Sequence, residues 1–247
     1  MRRSLVLRSN GIGGATRIHG AIAHDLAIAI ITGRHPPGTL LEDEVTASQR
    51  LGVSRTAYRE AVRLLIGKGL ISSRPKVGTM INPRRRWNHL DPDLLAWSFE
   101  TDPDPRFVAD LFELRAMIEP EAAALAARRR EDAQVGRMRT ALDTMTRETL
   151  ATEVGRLADR AFHEALLEAA HNEAVASLAG GIAAAVLWTT IFKQRNDALA
   201  RDPIPEHARV FDAVRDADPD AARNAMRTLI DNGRRDTDRA IDSLIAT

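Results

Sequence analysis

Apolar residues recur along most of this chain every three or four positions, the period of a helix buried on one face. The first stripe is Ile18, Ile22, Leu26 and Ile30, and it predicts a helix from a cap at Thr16 to about Thr32. After a turn over Gly33–Gly38, the stretch LLEDEVTASQRL predicts a second helix that opens in Leu40–Glu44. Gly52 breaks it, and Ser54 comes next as an N-cap whose hydroxyl can accept from a free backbone N–H of the third helix. That third helix buries Ala57, Ala61, Val62 and Leu65 and turns Arg55, Thr56 and Arg59 to its other face. Helical spacing stops at Gly67-Lys68-Gly69. Leu70-Ile71 and Thr79-Met80-Ile81 then predict two short strands around a turn at Arg74–Gly78. Beyond them no stretch alternates like a strand. Asp91-Pro92, Asp104-Pro105 and Asp218-Pro219 each carry the start signal of a helix, and further helices are expected at about 105–130, 131–150, 153–170, 172–195, 204–217 and 219–246.

The expected fold is mainly α, a winged helix-turn-helix domain followed by an all-α bundle. Its divisions are a flexible basic arm at 1–15, a winged domain at 16–82, a linker and docking helix at 83–104, and an effector bundle at 105–247. Two short helices joined at a glycine, the second leading with arginines, suit entry into a major groove. An arginine fork can there donate two hydrogen bonds to guanine. A helical hairpin with a solvated basic face is the alternative, and the two strands with Lys76 and Gly78 at their tip favour the winged domain. Charge points the same way. Residues 1–86 hold 15 Lys and Arg against 5 Asp and Glu, net +10, while residues 87–247 hold 20 against 29, net −9. A basic reader joined to an acidic body is the footprint of a DNA-binding regulator. With no cysteine, thiol catalysis and Cys-ligated zinc are excluded. No window reaches the roughly 20 apolar residues of a membrane span, and the expected location is the cytoplasm.

Inside the predicted bundle, polar residues occupy positions that the helical pattern reserves for apolar ones. Arg115 projects from the stripe of Leu111, Leu114, Ile118, Ala122 and Leu125. Asp159 and His163 lie one turn apart on a face that also carries Phe162 and Leu166, and His207 heads the stripe of Val210, Phe211 and Val214. Buried charge is costly unless paired or metal-bound. Two readings are open. In one, Asp159 and His163 form a solvated pair, Arg115 an internal salt bridge and His207 a satisfied core histidine. In the other, Asp159, His163 and His207 hold a divalent metal, zinc or similar, and Arg115 clamps a carboxylate that the metal also binds.

The motif G-x-x-P-P-G-T-x-L … L-G-V-S-R-T-x-x-R-E-A-V over residues 33–81 resembles the DNA-binding domain of GntR-type transcription regulators. The resemblance implies that Ser54, Arg55, Thr56 and Arg59 meet DNA and that the wing around Lys76–Gly78 approaches the minor groove. Val45 departs from relatives that place a further DNA-contacting arginine there. Residues 113–214, with Glu113-x-Arg115-x3-Glu119, Asp159-x2-Phe162-His163 and Glu206-His207, resemble the FCD effector domain of the FadR subfamily. That implies a small organic acid bound through Arg115 and a metal on Asp159, His163 and His207. Relatives that bind metal usually add a histidine on the last helix, where this chain has Leu229. A narrower likeness, through Trp87-Asn88-x-Leu90-Asp91 and His171-Asn172, is to regulators of sugar-acid catabolism. The function implied is a homodimeric, ligand-responsive repressor of a sugar-acid (aldonate) operon that reads a two-fold symmetric operator. The competing expectations are a metal-dependent enzyme fused to a DNA reader, a constitutive architectural DNA binder, and a regulator of some other carboxylic acid.

Overall fold

Two side-chain caps set where the second and third helices begin. In the computed structural model, which describes residues 14–101, 103–196 and 201–245, helix α1 spans Gly14–Ile31, α2 Glu44–Leu51 and α3 Arg55–Gly67. The Asp43 carboxylate accepts from the Val45 and Thr46 N–H groups at 3.0 Å each, and the Ser54 hydroxyl accepts from Ala57 N–H at 3.1 Å. Gly52 ends α2 at φ +63°, a left-handed conformation in which a β-carbon is strained. Strands β1 (Ile71–Arg74) and β2 (Gly78–Ile81) pair antiparallel with Ile71 opposite Ile81.

Helix α2 starts at Glu44, later than the sequence pattern suggests, because Leu40 forms a β-bridge with Met80 and the helix is capped by Asp43. The buried face of α1 is also rotated: Ile18 is exposed, while Ala23, Ala27 and Ile30 pack inward with Tyr58, Ala61 and Leu65 of α3. Helix α1 begins ahead of Thr16, so Thr16 is not its cap. Residues 1–13 of the expected arm lie outside the described residues, and its last two, Gly14 and Ala15, are helical.

The chain divides into two compact units, Met1–Asn88 and His89–Thr247. The second holds α4 (Pro92–Glu100), α5 (Pro105–Arg129), α6 (Asp132–Glu148), α7 (Glu153–Ala169), α8 (Glu173–Ala176), α9 (Ala179–Asn196), α10 (Ile204–Arg215) and α11 (Pro219–Ile245). Asp91, Asp104 and Asp218 each cap the helix they precede, as their Asp-Pro pairs imply. The single helix expected over 172–195 is instead α8 and α9. The break falls at Ser177-Leu178, where the Ser177 hydroxyl donates to the Ala174 carbonyl.

Helix α7 packs against α5, α6 and α9, and α5 against α7, α10 and α11. Small residues carry these close approaches: Ala122, Ala123, Ala124, Ala126 and Ala127 on α5, and Ala183, Ala184 and Ala185 on α9, are buried. The start of α7 is seated by Gly155, where an added β-carbon would stand 1.7 Å from the Thr149 carbonyl oxygen.

That contact yields a paired test. Gly155→Ala should displace the start of α7 and cost about 1–3 kcal/mol, the usual penalty of overpacking. Gly136→Ala, in α6 with open space around it, should stabilise by roughly 0.5–1 kcal/mol. Urea unfolding of both variants gives the two signs, and equal effects would show that Gly155 is not a packing constraint.

Candidate functional site

In the N-terminal unit, ion pairing separates the arginines of the helix-turn-helix into two groups. Arg50 is held by Glu42 at 2.8 Å and Arg63 by Glu60 at 2.7 Å. Arg55 and Arg59 are exposed and have no ion-pair partner among the described residues. They occupy the first and second turns of α3, beside exposed Ser54 and Thr56, while Tyr58, Ala61 and Leu65 anchor the opposite face. Lys76 stands exposed at the tip of the wing at φ +64°, and Gly78 opens β2. All six expected DNA-contact residues therefore lie on the surface, and none of them is ion-paired among the described residues.

In the second unit, α7 places Asp159 and His163 one turn apart, α10 brings His207, and α5 brings Arg115 and Glu119. All five are buried. His163 Nδ1 lies 2.5 Å from Glu119 Oε2, and His207 Nδ1 lies 2.9 Å from the Pro203 carbonyl oxygen. A carboxylate and a carbonyl only accept, so both Nδ1 atoms donate. Each Nε2 is thereby turned toward the cluster. Those two atoms face Asp159 Oδ1 at 3.7 Å from His163 and 2.9 Å from His207. The shorter approach is misaligned, and neither Asp159 Oδ1 nor His207 Nε2 makes a hydrogen bond. Asp159 Oδ1 and the two Nε2 atoms are buried and lie within 4.8 Å of one another, a donor set of the kind that holds a divalent ion. Asp159 and His163 are buried, so they are not a solvated helix pair.

Glu119 ties the cluster to Arg115, whose Nε donates to Glu119 Oε1 at 2.6 Å. The sequence pattern sets Glu119 one position off the buried stripe, yet it is 0 % exposed. Because α5 is covered by several helices, its buried face is wider than one stripe, and Leu114, Ile118 and Leu125 are only half-buried. Burial pushes both carboxyls up, but Arg115 and His163 beside Glu119, and His207, His163 and Arg115 beside Asp159, hold each at about 2. Both are ionised at neutral pH. Arg115 engages Glu119 only through Nε, and its two terminal nitrogens make no hydrogen bond among the described residues. They form an unused fork, and a fork is what a carboxylate accepts two bonds from. Leu229, at the position where a fourth ligand would stand on the last helix, is a buried core residue. The trio offers two nitrogens and an oxygen, leaving open positions on any ion it holds.

Residues 19–81 match the family model described as bacterial regulatory proteins, gntR family, and residues 110–232 match that of the FCD domain. The galactonate operon transcriptional repressor of Escherichia coli K12 is 34% identical over 209 residues, covering 83% of this chain and 90% of that protein. The regulator LutR of Bacillus subtilis is 29% identical over 210 residues, covering 82% and 93%. Among solved structures, Lar, described as controlling the agr system of Listeria monocytogenes, has a TM-score of 0.65 at 16% identity and covers 94% of this chain and 99% of its own. A GntR-family regulator from Pseudomonas syringae has a TM-score of 0.52 at 20% identity, covering 96% and 91%.

The unpaired arginines define the interface test. Arg55→Ala and Arg59→Ala should each weaken binding to a selected operator by about 1–3 kcal/mol, and Arg63→Ala, whose guanidinium is already paired, should change it little. Lys76→Ala should weaken all sequences alike and flatten the salt dependence. Fluorescence anisotropy at several salt concentrations separates these. If Arg59→Ala left operator preference untouched, α3 would not be the reading helix.

Proposed function

The chain belongs to the GntR family of bacterial regulatory proteins and carries an FCD domain, which makes it a transcription regulator; we propose that it represses a sugar-acid catabolic operon and that its grip on DNA changes when a small carboxylic acid binds at a metal site in the bundle. In this reading residues 16–82 read DNA, residues 105–247 receive the effector, and residues 83–104 connect them. One recognition helix covers a half-site, so a two-fold symmetric operator calls for a dimer.

The observation that carries the proposal is the convergence of two imidazole Nε2 atoms and the Asp159 carboxylate on one buried point. Asp159, His163 and His207 would hold a divalent ion such as zinc, which when bound supplies a Lewis-acid seat for a carboxylate. The chain's own residues do the rest. Glu119 fixes the His163 ring with Nε2 inward, and the Pro203 carbonyl does the same for His207. Outer partners of this kind orient ligands and raise their basicity. Arg115 keeps its terminal fork free for the acid. Buried Phe162 packs at 5.2 Å from the His207 ring and excludes water from that side. Binding without turnover is also what the family of transcription regulators it belongs to suggests. The sugar-acid class is suggested by the similarity to the galactonate operon repressor.

Isothermal titration tests both halves. Metal-free protein should bind one equivalent of zinc, and Glu119→Gln should weaken it by roughly 10- to 100-fold. Zinc-loaded protein should bind an aldonate but not the parent aldose. Arg115→Ala should lose that binding with the fold intact, and Arg115→Lys should restore it only partly because a point charge lacks the fork. Equal binding of acid and neutral sugar would end the proposal, as would zinc affinity unchanged by His163→Ala and His207→Ala.

A further inference from the structure

At the N-terminal end of α10 a buried donor and a buried acceptor stand side by side. Arg201 Nη1 lies 2.5 Å from Glu206 Oε1, but the two are misaligned. Neither Arg201 Nη1 nor Glu206 Oε2 makes a hydrogen bond among the described residues. The other polar atoms of both side chains are occupied. Arg201 donates from Nε and Nη2 to Asp236 Oδ2 at 3.2 and 2.9 Å, and Asn232 Nδ2 donates to Glu206 Oε1 at 2.7 Å. Glu206 itself is 8 % exposed. The same turn carries His207 of the donor trio. The Pro203 carbonyl accepts from the backbone N–H groups of Glu206 and His207, at 3.1 and 3.2 Å, and faces the His207 ring at 2.9 Å. One carbonyl thus fixes both residues, whose α-carbons are about 3.8 Å apart.

A buried N–H and a buried carboxylate oxygen that are left unpaired are costly. Because both atoms belong to one ion pair, a single small group can meet both, accepting from Nη1 and donating to Oε2. A hydroxyl does this. A carboxylate has no proton to give Oε2 and would face the charges of Glu206 and Asp236. An ammonium cannot accept from Nη1 and would face Arg201. Charge is already matched here, with Arg201 and Arg239 against Glu206 and Asp236. The site therefore suits a neutral group that both gives and takes a hydrogen bond.

We propose that Arg201 Nη1 and Glu206 Oε2 form a hydroxyl-binding subsite beside His207, and that it makes the bundle prefer acids with hydroxyls along their carbon chain to acids without them. The inference rests on the acid-binding reading given above and narrows it to polyhydroxy acids.

The test is a titration of zinc-loaded full-length protein with a hexose, the matching hexonate and 2-hydroxyhexanoate, which keeps the acid end of the hexonate and lacks its other hydroxyls. The hexonate should bind roughly 10- to 100-fold more tightly than 2-hydroxyhexanoate, the worth of a hydrogen bond to a charged group. Glu206→Gln should remove that preference: Asn232 holds the amide oxygen, so an N–H donor replaces the acceptor Oε2. Arg201→Lys, which keeps a charge beside Asp236 but lacks Nη1, should shrink it as well, and decides alone if Glu206→Gln does not fold. Zinc affinity is measured for each variant too. A loss of zinc affinity as large as the loss of hexonate affinity would show that Glu206 only supports His207, and would overturn the subsite. Wild-type protein that binds both acids equally would also overturn it while leaving the acid site standing, and so would a preference that survives in the variants; ordered water alone would then pair the two atoms. A hexonate that binds no better than the hexose would overturn the acid site and this inference together.

Discussion

The bundle depends on one buried carboxylate shared between two partners. Glu119 gives one oxygen to the Arg115 guanidinium and the other to the His163 ring, in an interior from which water is removed. Taking any of these groups out of water alone would cost several kcal/mol. Together they neutralise one another and fix each other's direction. The Arg115–Glu119 bond runs along α5, and the Glu119–His163 bond crosses from α5 to α7. The direction of the Arg115 guanidinium and that of the His163 ring are therefore set by the same carboxylate. Anything that moves α5 against α7 is felt at both.

The N-terminal unit uses charge in the opposite way. There the working side chains are kept free, and neighbouring arginines that could confuse the surface are neutralised by Glu42 and Glu60. A DNA-reading surface needs mobile, hydrated cations that shed counterions on contact. A small-molecule site needs cations held still before the ligand arrives. Exposed, unpaired Arg55 and Arg59 stand in contrast to Arg115, buried and paired in the second unit.

Much of this was legible in the sequence, for identifiable reasons. Asp159, His163 and His207 stood out because each interrupts an apolar stripe at helical spacing, and Ser54 and Gly52 because capping and left-handed turns have strong residue preferences. Glu119 was missed because α5 is covered on more than one side, and periodicity locates one buried face only. Leu40 was assigned to a helix because its β-bridge partner, Met80, lies far along the chain. The break between α8 and α9 was hidden because the apolar pattern continues across it and only a serine side chain marks it.

The alanine faces of α5 and α9 bear on how such a protein diversifies. Where helices touch through side chains no larger than a methyl group, their separation is set by backbone against backbone, and almost any substitution there is an enlargement that the interior resists. The frame is thus conservative by construction. A change of size on one alanine face therefore calls for a matching change on the helix it touches, so such a frame is inherited as a unit while its exposed positions vary one at a time.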